Sequence, residues 1–314
     1  MHMTVAVLPA LLRPMVEARL PDWIEPRWWA SVDEMHTQAP AAEIGWFDMH
    51  EKPPFLAAVE MAGGLKWLNT LYAGVDFLPL DELAARGITL TNGAGLTATQ
   101  VAEFTVLSML AMAKDYPALV RAQDRREWLS AAPGIRQLAG SRALILGMGA
   151  IGREVARMLS GFGVEVVPVR RSPGPGELGP DDWKKQLGTF DWVVLALPGT
   201  EETKGLLGPA EFAAMKRDAV LVNFARADVV DEPALVEALR EKRIAGAVID
   251  VTDPEPLPSD HPFWSLGNVH LTMHLSGIPT PASMMRAADR FIANCDRWRA
   301  GEPLESQVDL AKGY

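Results

Sequence analysis

From Arg142 onward the chain alternates apolar runs with amphipathic stretches, and few folds accept that pattern. The runs are "RALIL", "VEVVPV", "DWVVLAL", "AVLVNF", "GAVIDV" and "VHLTM". Most are separated by helical segments such as "IGREVARMLSGFG", "PAEFAAMK" and "EPALVEALREK". Strands that are apolar along their whole length belong in a sheet covered on both faces, and strand–helix alternation demands parallel pairing. The pattern predicts a doubly wound parallel sheet of six strands, the Rossmann type of α/β domain.

The first third is also α/β but smaller. "TVAVL", "EIGWF", "LKWLNT" and "ITLTN" are strand-like runs, and "PFLAAVEMAG" and "LPLDELAARG" are helical stretches between them. A long helix without internal glycine then begins near Thr99 and is apolar around most of its first half, as a buried helix would be. The final helix, "TPASMMRAADRFIANCDRWRA", is expected to cross back to the first domain. This gives a split, flavodoxin-like α/β substrate domain, residues 1–99 plus 284–314, around a dinucleotide-binding domain over 100–283.

Composition excludes some classes of function. The formal net charge is −10, whereas nonspecific nucleic-acid binding needs a basic surface. Cys295 is the single cysteine, so no internal disulfide can form. It is read as a helix residue without a redox role in a reducing compartment. The N-terminus lacks the basic region of a signal peptide and reads as a first strand. No run approaches the roughly 18 apolar residues of a membrane span, so the expected location is the cytoplasm.

"LILGMGAIG" places Gly147, Gly149 and Gly152 in the G-x-G-x-x-G spacing between a strand and a helix, the context that gives the spacing meaning. Gly147 permits the tight turn, Gly149 lets a pyrophosphate approach, and Gly152 lets the helix pack on the strand. The amides of Ala150 and Ile151 open the helix and suit phosphate charge. About 20 residues on, such units usually carry an acidic residue for the adenine ribose. Here that place holds Arg170, Arg171 and Ser172. A carboxylate there would repel a 2′-phosphate, and guanidiniums bind phosphate bidentately. The pair therefore predicts NADP(H) over NAD(H), with NAD as the alternative.

Three polar residues follow three successive strand ends: Arg226 after "AVLVNFA", Glu255 after "GAVIDVTDP", and His274 after "VHLTM". Carbonyl reduction by hydride leaves an alkoxide that needs a proton, which histidine supplies near neutral pH. A neighbouring carboxylate favours the imidazolium. Arginine can hold a carboxylate and polarise a carbonyl.

These blocks carry a family likeness. "NFARADVVDEPALVEAL", "AGAVIDVTDPEPLP" and "NVHLTMHLSG" resemble, in order, three signature blocks of the D-2-hydroxyacid dehydrogenases. "LYAGVD" and "GITLTNGAGLTATQVAEF" resemble that family's substrate-domain blocks. The resemblance runs from about Leu65 to Cys295. It implies that Arg226 binds a 2-oxo acid, that His274 is the acid–base, and that Glu255 orients it. It further implies that the Ala73 and Gly74 amides hold the substrate carboxylate and that Asn92 lies near the site. Leu197, Pro198, Phe224, Ala225, Arg226, Asp250, His274 and Gly277 fall where the family contacts its cofactor. A homodimer formed through the cofactor domain is implied as well. Two departures stand out: Met273 where the family commonly has proline, and Ala227 where it commonly has glycine.

The resulting expectation is an oxidoreductase moving hydride between NADP(H) and a small 2-oxo acid, with glyoxylate and hydroxypyruvate leading. Alternatives are a dinucleotide-sensing interaction protein without turnover, or a dehydrogenase of phosphite or formate. No metal is expected, because no ligand cluster has suitable spacing. Competing residues have simpler readings. His261 suits a turn, His270 lies inside the last strand on the same face as His274, and Asp76 reads as a helix N-cap. Trp46, Trp67 and Trp264 could reach a substrate cleft.

Overall fold

The computed structural model describes residues 3–49 and 51–313. The chain divides into two compact units, Met1–Thr97 with Pro279–Tyr314, and Ala98–Ile278. Each is an α/β unit on a parallel sheet, and among the described residues no helix is long and apolar enough to cross a membrane.

In the first unit the strands are β1 (Thr4–Pro9), β2 (Ile24–Trp29), β3 (Ile44–Gly45), β4 (Trp67–Asn69) and β5 (Thr89–Thr91). The helices are α1 (Arg13–Val16), α2 (Val32–Gln38), α3 (Lys52–Met61) and α4 (Leu80–Ala85). The sheet order is β2-β1-β3-β4-β5, the flavodoxin-like order with its switch point between β1 and β3. The second strand escapes a hydrophobicity reading because "IEPRWW" contains Glu25, Pro26 and Arg27. As an edge strand it tolerates a proline and charges that an inner strand would not.

The second unit contains β6 (Arg142–Leu146), β7 (Glu165–Val169), β8 (Trp192–Leu195), β9 (Val220–Asn223), β10 (Gly246–Ile249) and β11 (Val269–Leu271). These are the six strands expected, all parallel, in the order β11-β10-β9-β8-β6-β7. A single bridge at Leu178 continues the sheet beyond β7. The strand order reverses between β6 and β8, so the segment following β6 lies at the switch point, where doubly wound sheets bind their ligands. The helices are α5 (Ala98–Lys114), α6 (Tyr116–Asp124), α7 (Ala150–Gly161), α8 (Pro209–Ala214) and α9 (Glu232–Arg240). The last helix, α10 (Pro281–Ala300), belongs to the first unit. It is capped by Thr280 at its start and ends at Gly301 with φ +70°, the left-handed conformation glycine supplies at helix ends. Its Phe291 packs against Trp46 and Trp67, each at 5.1 Å between ring centres.

Several expectations are corrected. β7 is half-buried rather than buried, because only the Leu178 bridge covers its outer edge. The long helix from Ala98 breaks at Asp115, whose φ is +44°, and restarts as α6 with Pro117 in its first turn. It is also not buried all round, since Leu107 is 60% exposed. Trp46 and Trp67 are core residues at 1% and 0% exposure, and the exposed Trp264 donates its indole N–H to Pro258 O. Asp76 is not an N-cap, because α4 starts after Pro79. β11 ends at Leu271, and Met273 and His274 both have φ +54°, so the two-residue alternation that would put His270 and His274 on one face does not extend to His274. His270 is half-buried, and that burial lowers its pKa.

Candidate active site

The glycine loop has the geometry its spacing implies. Gly147 adopts φ +99°, and a Cβ there would lie 2.6 Å from Ala196 O on the neighbouring strand's exit. A Cβ on Gly152 would lie 2.0 Å from Gly147 O, so no side chain fits between loop and helix. Around Gly149 nothing lies within 4 Å of such an atom. The loop therefore combines two tight approaches with one open face, and α7 starts immediately after Gly149. The first amides of a helix lack intrahelical acceptors, so those of Ala150 and Ile151 suit a phosphate facing that open side. Arg153 lies outside the glycine motif. It turns back to bond Met148 O at 2.9 Å and adds a cation beside the loop.

Arg170, Arg171 and Ser172 are exposed just past β7. Arg170 reaches Glu177 at 3.5 Å and Arg171 reaches Glu202 at 2.5 Å. Exposed pairs of this kind contribute about 0–1 kcal/mol. They are therefore exchangeable for a stronger anion.

On the same sheet, Asn223, Ile249 and Leu271 are in register at the ends of β9, β10 and β11. Arg226 and His274 each follow three residues after their strand's end, so the sheet delivers them to one edge. Asn223, which opens the "NFARADVVDEPALVEAL" block, is 2% exposed. Its side chain bonds Arg226 O at 2.9 Å and accepts from Ala225 N at 3.0 Å, fixing the turn that carries Arg226. The Arg226 guanidinium donates to Ala225 O at 2.9 Å. Ala227 opens a short 3-10 turn without a positive φ, so its methyl group meets no backbone strain.

His274 Nδ1 lies 2.8 Å from Glu255 Oε2, and Glu255 Oε1 accepts from Thr252 N at 3.0 Å. The carboxylate is thus held on one oxygen and orients the imidazole with the other, leaving Nε2 as the nitrogen free of this pairing. The turn around His274 is braced by Asp250. Its carboxylate accepts from Thr272 Oγ1 and Ser276 Oγ, both at 2.5 Å, and its carbonyl accepts from His274 N at 2.6 Å. Gln100 closes the far side through Ser276 O and Ile278 O. Proline at position 273 would demand φ near −65°, whereas Met273 sits in the left-handed region at φ +54°. His261 is a turn residue bonded to Glu232 at 2.9 Å.

The other expected positions differ in exposure. Leu197 and Gly277 are half-buried and Pro198 is exposed, whereas Phe224 and Ala225 turn inward at 6% and 4% exposure. In the first unit Ala73 is exposed and Gly74 half-buried. Asn92 Nδ2 donates to Ala73 O at 2.8 Å. Among the described residues, the Ala73 and Gly74 amides donate no hydrogen bond.

Comparison with known proteins identifies the family. A model of the family described as D-isomer specific 2-hydroxyacid dehydrogenase, NAD binding domain, matches residues 106–276. A glyoxylate reductase of Korarchaeum cryptofilum is 34% identical over 252 residues, spanning 77% of this chain and 76% of that one. A D-isomer specific 2-hydroxyacid dehydrogenase family protein from Aeromonas salmonicida superposes with a TM-score of 0.87 and 29% identity, covering 99% of this chain and 100% of that one. A D-isomer specific 2-hydroxyacid dehydrogenase of Xanthobacter autotrophicus, solved in complex with NADPH and MES, superposes with a TM-score of 0.79 and 30% identity, covering 100% of both chains. The chain belongs to the D-isomer specific 2-hydroxyacid dehydrogenase family, and it is an NAD(P)-dependent oxidoreductase.

Proposed function

We propose that the chain reduces small 2-oxo acids, glyoxylate and hydroxypyruvate foremost, to 2-hydroxy acids of D configuration where a stereocentre forms, and that it prefers NADPH. The observation that carries this reading is the His274–Glu255 pair at 2.8 Å on the sheet edge that also bears Arg226. When bound, the nicotinamide supplies the hydride. Arg226 holds the 2-oxo acid and polarises its carbonyl, His274 gives the new alkoxide its proton from Nε2, and Glu255 keeps the ring oriented. The Ala73 and Gly74 amides take the substrate carboxylate. On this reading the first unit is the substrate domain and the second the cofactor domain.

Gly147, Gly149 and Gly152, with the Ala150 and Ile151 amides, would hold the pyrophosphate. The open face at Gly149 fits that group. Leu197, Pro198, Phe224, Ala225, Asp250 and Gly277 would line the remainder of the cofactor. Arg170, Arg171 and Ser172 would take the 2′-phosphate, exchanging weak carboxylate pairs for a phosphate dianion. The NADPH complex of the Xanthobacter relative supports this preference. A homodimer through the second unit would cover Leu107, Trp128 and Ile135, which are 60%, 98% and 85% exposed. We place the protein in the cytoplasm.

The test is a panel of 2-oxo acids, phosphite and formate assayed with each nicotinamide cofactor in its reduced or oxidised form as the reaction requires. The expected result is turnover of glyoxylate or hydroxypyruvate with NADPH favoured, and a shift toward NADH in Arg170→Asp. Phosphite or formate oxidation without 2-oxo acid reduction would overturn the substrate reading, and a wild-type preference for NADH would overturn the cofactor reading.

A further inference from the structure

Outside the edge that bears His274, three donors from two chain segments converge on one buried carboxylate. β3 lies at the switch point of the first sheet, and its chain leaves the strand through Trp46 and Phe47 to Asp48. The neighbouring strand β4 ends at Asn69 and leads into Thr70–Gly74. Parallel strands end on the same side, so Asp48 and that loop meet.

Three donors reach the Asp48 carboxylate. Leu71 N and the Trp46 indole N–H bond Oδ2, each at 2.6 Å, and Thr70 Oγ1 bonds Oδ1 at 2.5 Å. The Thr70 hydroxyl in turn accepts from Tyr72 N at 3.1 Å. On the far side Tyr72 O accepts from Gly93 N at 2.9 Å, and Ala73 O accepts from Asn92. Gly93 is pressed so close that a Cβ would sit 1.8 Å from Leu71 O. The segment from Thr70 to Ala73 is therefore held from both sides, and it leads straight into the Ala73 and Gly74 amides.

We propose that Asp48 is a positioning residue for the substrate: its carboxylate sets the Thr70–Ala73 backbone and so fixes the Ala73 and Gly74 amides that receive the 2-oxo acid's carboxylate. The proposal rests on the substrate reading. The residue type follows from the partners. An indole N–H and a backbone N–H can only donate, and the hydroxyl donates here too, so the hub must accept three times. Trp46 is itself locked in the core against Phe291, which makes the anchor rigid.

An anion withdrawn from water beside a carboxylate-binding loop needs compensation, and Lys52 supplies it. Its ammonium lies 3.0 Å from the Tyr72 ring centre and 4.5 Å from that of Phe77, and its charge favours the ionised Asp48. Tyr72 donates its hydroxyl to Met49 O. Burial, reinforced by the Asp48 charge, pushes that phenol up to about 12, so it adds no second negative charge.

Two readouts test the proposal in Asp48→Ala and Asp48→Asn. In Asp48→Ala the KM for the 2-oxo acid should rise roughly tenfold or more while the KM for NADPH stays within about twofold, since an unheld loop misplaces only the amides. Asp48→Asn keeps an acceptor for Leu71 and Trp46 and should recover most of the loss. Amide exchange in the peptide covering residues 70–74 should accelerate in Asp48→Ala, with the rest of the chain unchanged. Unchanged exchange, an unchanged 2-oxo acid KM, a joint rise of both KM values, or no recovery in Asp48→Asn would each overturn the proposal. Should the wild-type chain reduce no 2-oxo acid, the functional reading fails with it, while the exchange comparison needs no turnover and reports on the loop by itself.

Discussion

The loop after β6 and the loop after β4 take their form by opposite means. Gly147–Gly152 is shaped by missing side chains: two glycines make room for backbone and one leaves a face open. Thr70–Gly74 is shaped largely by side chains brought from elsewhere, Asp48 from β3's exit and Asn92 from β5's exit. The first solution is local and the second tertiary. A loop built from glycines carries its instructions in its own spacing, whereas a loop pinned by a distant carboxylate is sensitive to residues that its own stretch does not name.

Both loops, in the proposed function, hold ligands and neither does chemistry. The largest expected effect therefore lies outside both. His274→Ala should lower kcat by roughly 10²–10⁴-fold across the pH range. The cofactor dissociation constant, read by NADPH fluorescence, should stay where it is in the wild type. A loss of cofactor binding in step with kcat would mean that His274 shapes the second unit rather than the reaction.

The same contrast explains what can be read from the sequence. The six strands of the second sheet, the glycine loop, and Arg226, Glu255 and His274 past their strand ends are legible, because hydrophobic runs and short motifs encode them locally. β2 is not, since Pro26 and flanking charges hide an edge strand. The break at Asp115 is not, because one left-handed residue leaves helical periodicity almost intact on either side. Asn223, Thr272 and Ser276 lie within the quoted blocks, but their roles are not legible there, because bonding a backbone turn or another residue's carboxylate follows no spacing rule. Asp48 is invisible for the same reason. Only the topology, with β3 beside β4, brings its carboxylate to the Thr70–Gly74 loop.

A smaller effect concerns the tertiary loop alone. Burial raises the Asp48 carboxyl from 3.8 to about 6, against the pull of its three donors and Lys52. The folded chain therefore keeps this proton over a range in which the unfolded chain has lost it. The stability linked to this group is full at low pH and is lost as pH rises from about 4 through about 6. Relative to Asp48→Asn, the wild type should lose melting temperature as pH rises from about 4 through about 6 and then run parallel to it. A constant difference over that range would show that Asp48 does not carry this linkage. The glycine loop, having no titratable anchor, should contribute nothing comparable.

The most direct test of the division between the loops is a crossed measurement of both Michaelis constants in Gly149→Ala and Asp48→Ala. Nothing lies within 4 Å of a Cβ at Gly149, so that variant should fold normally and lose only the open face. Its KM for NADPH should rise roughly tenfold with the 2-oxo acid KM unchanged, while Asp48→Ala should show the reverse. If either variant raised both constants alike, or if the two effects were exchanged, the assignment of one loop to the cofactor and the other to the substrate would be wrong.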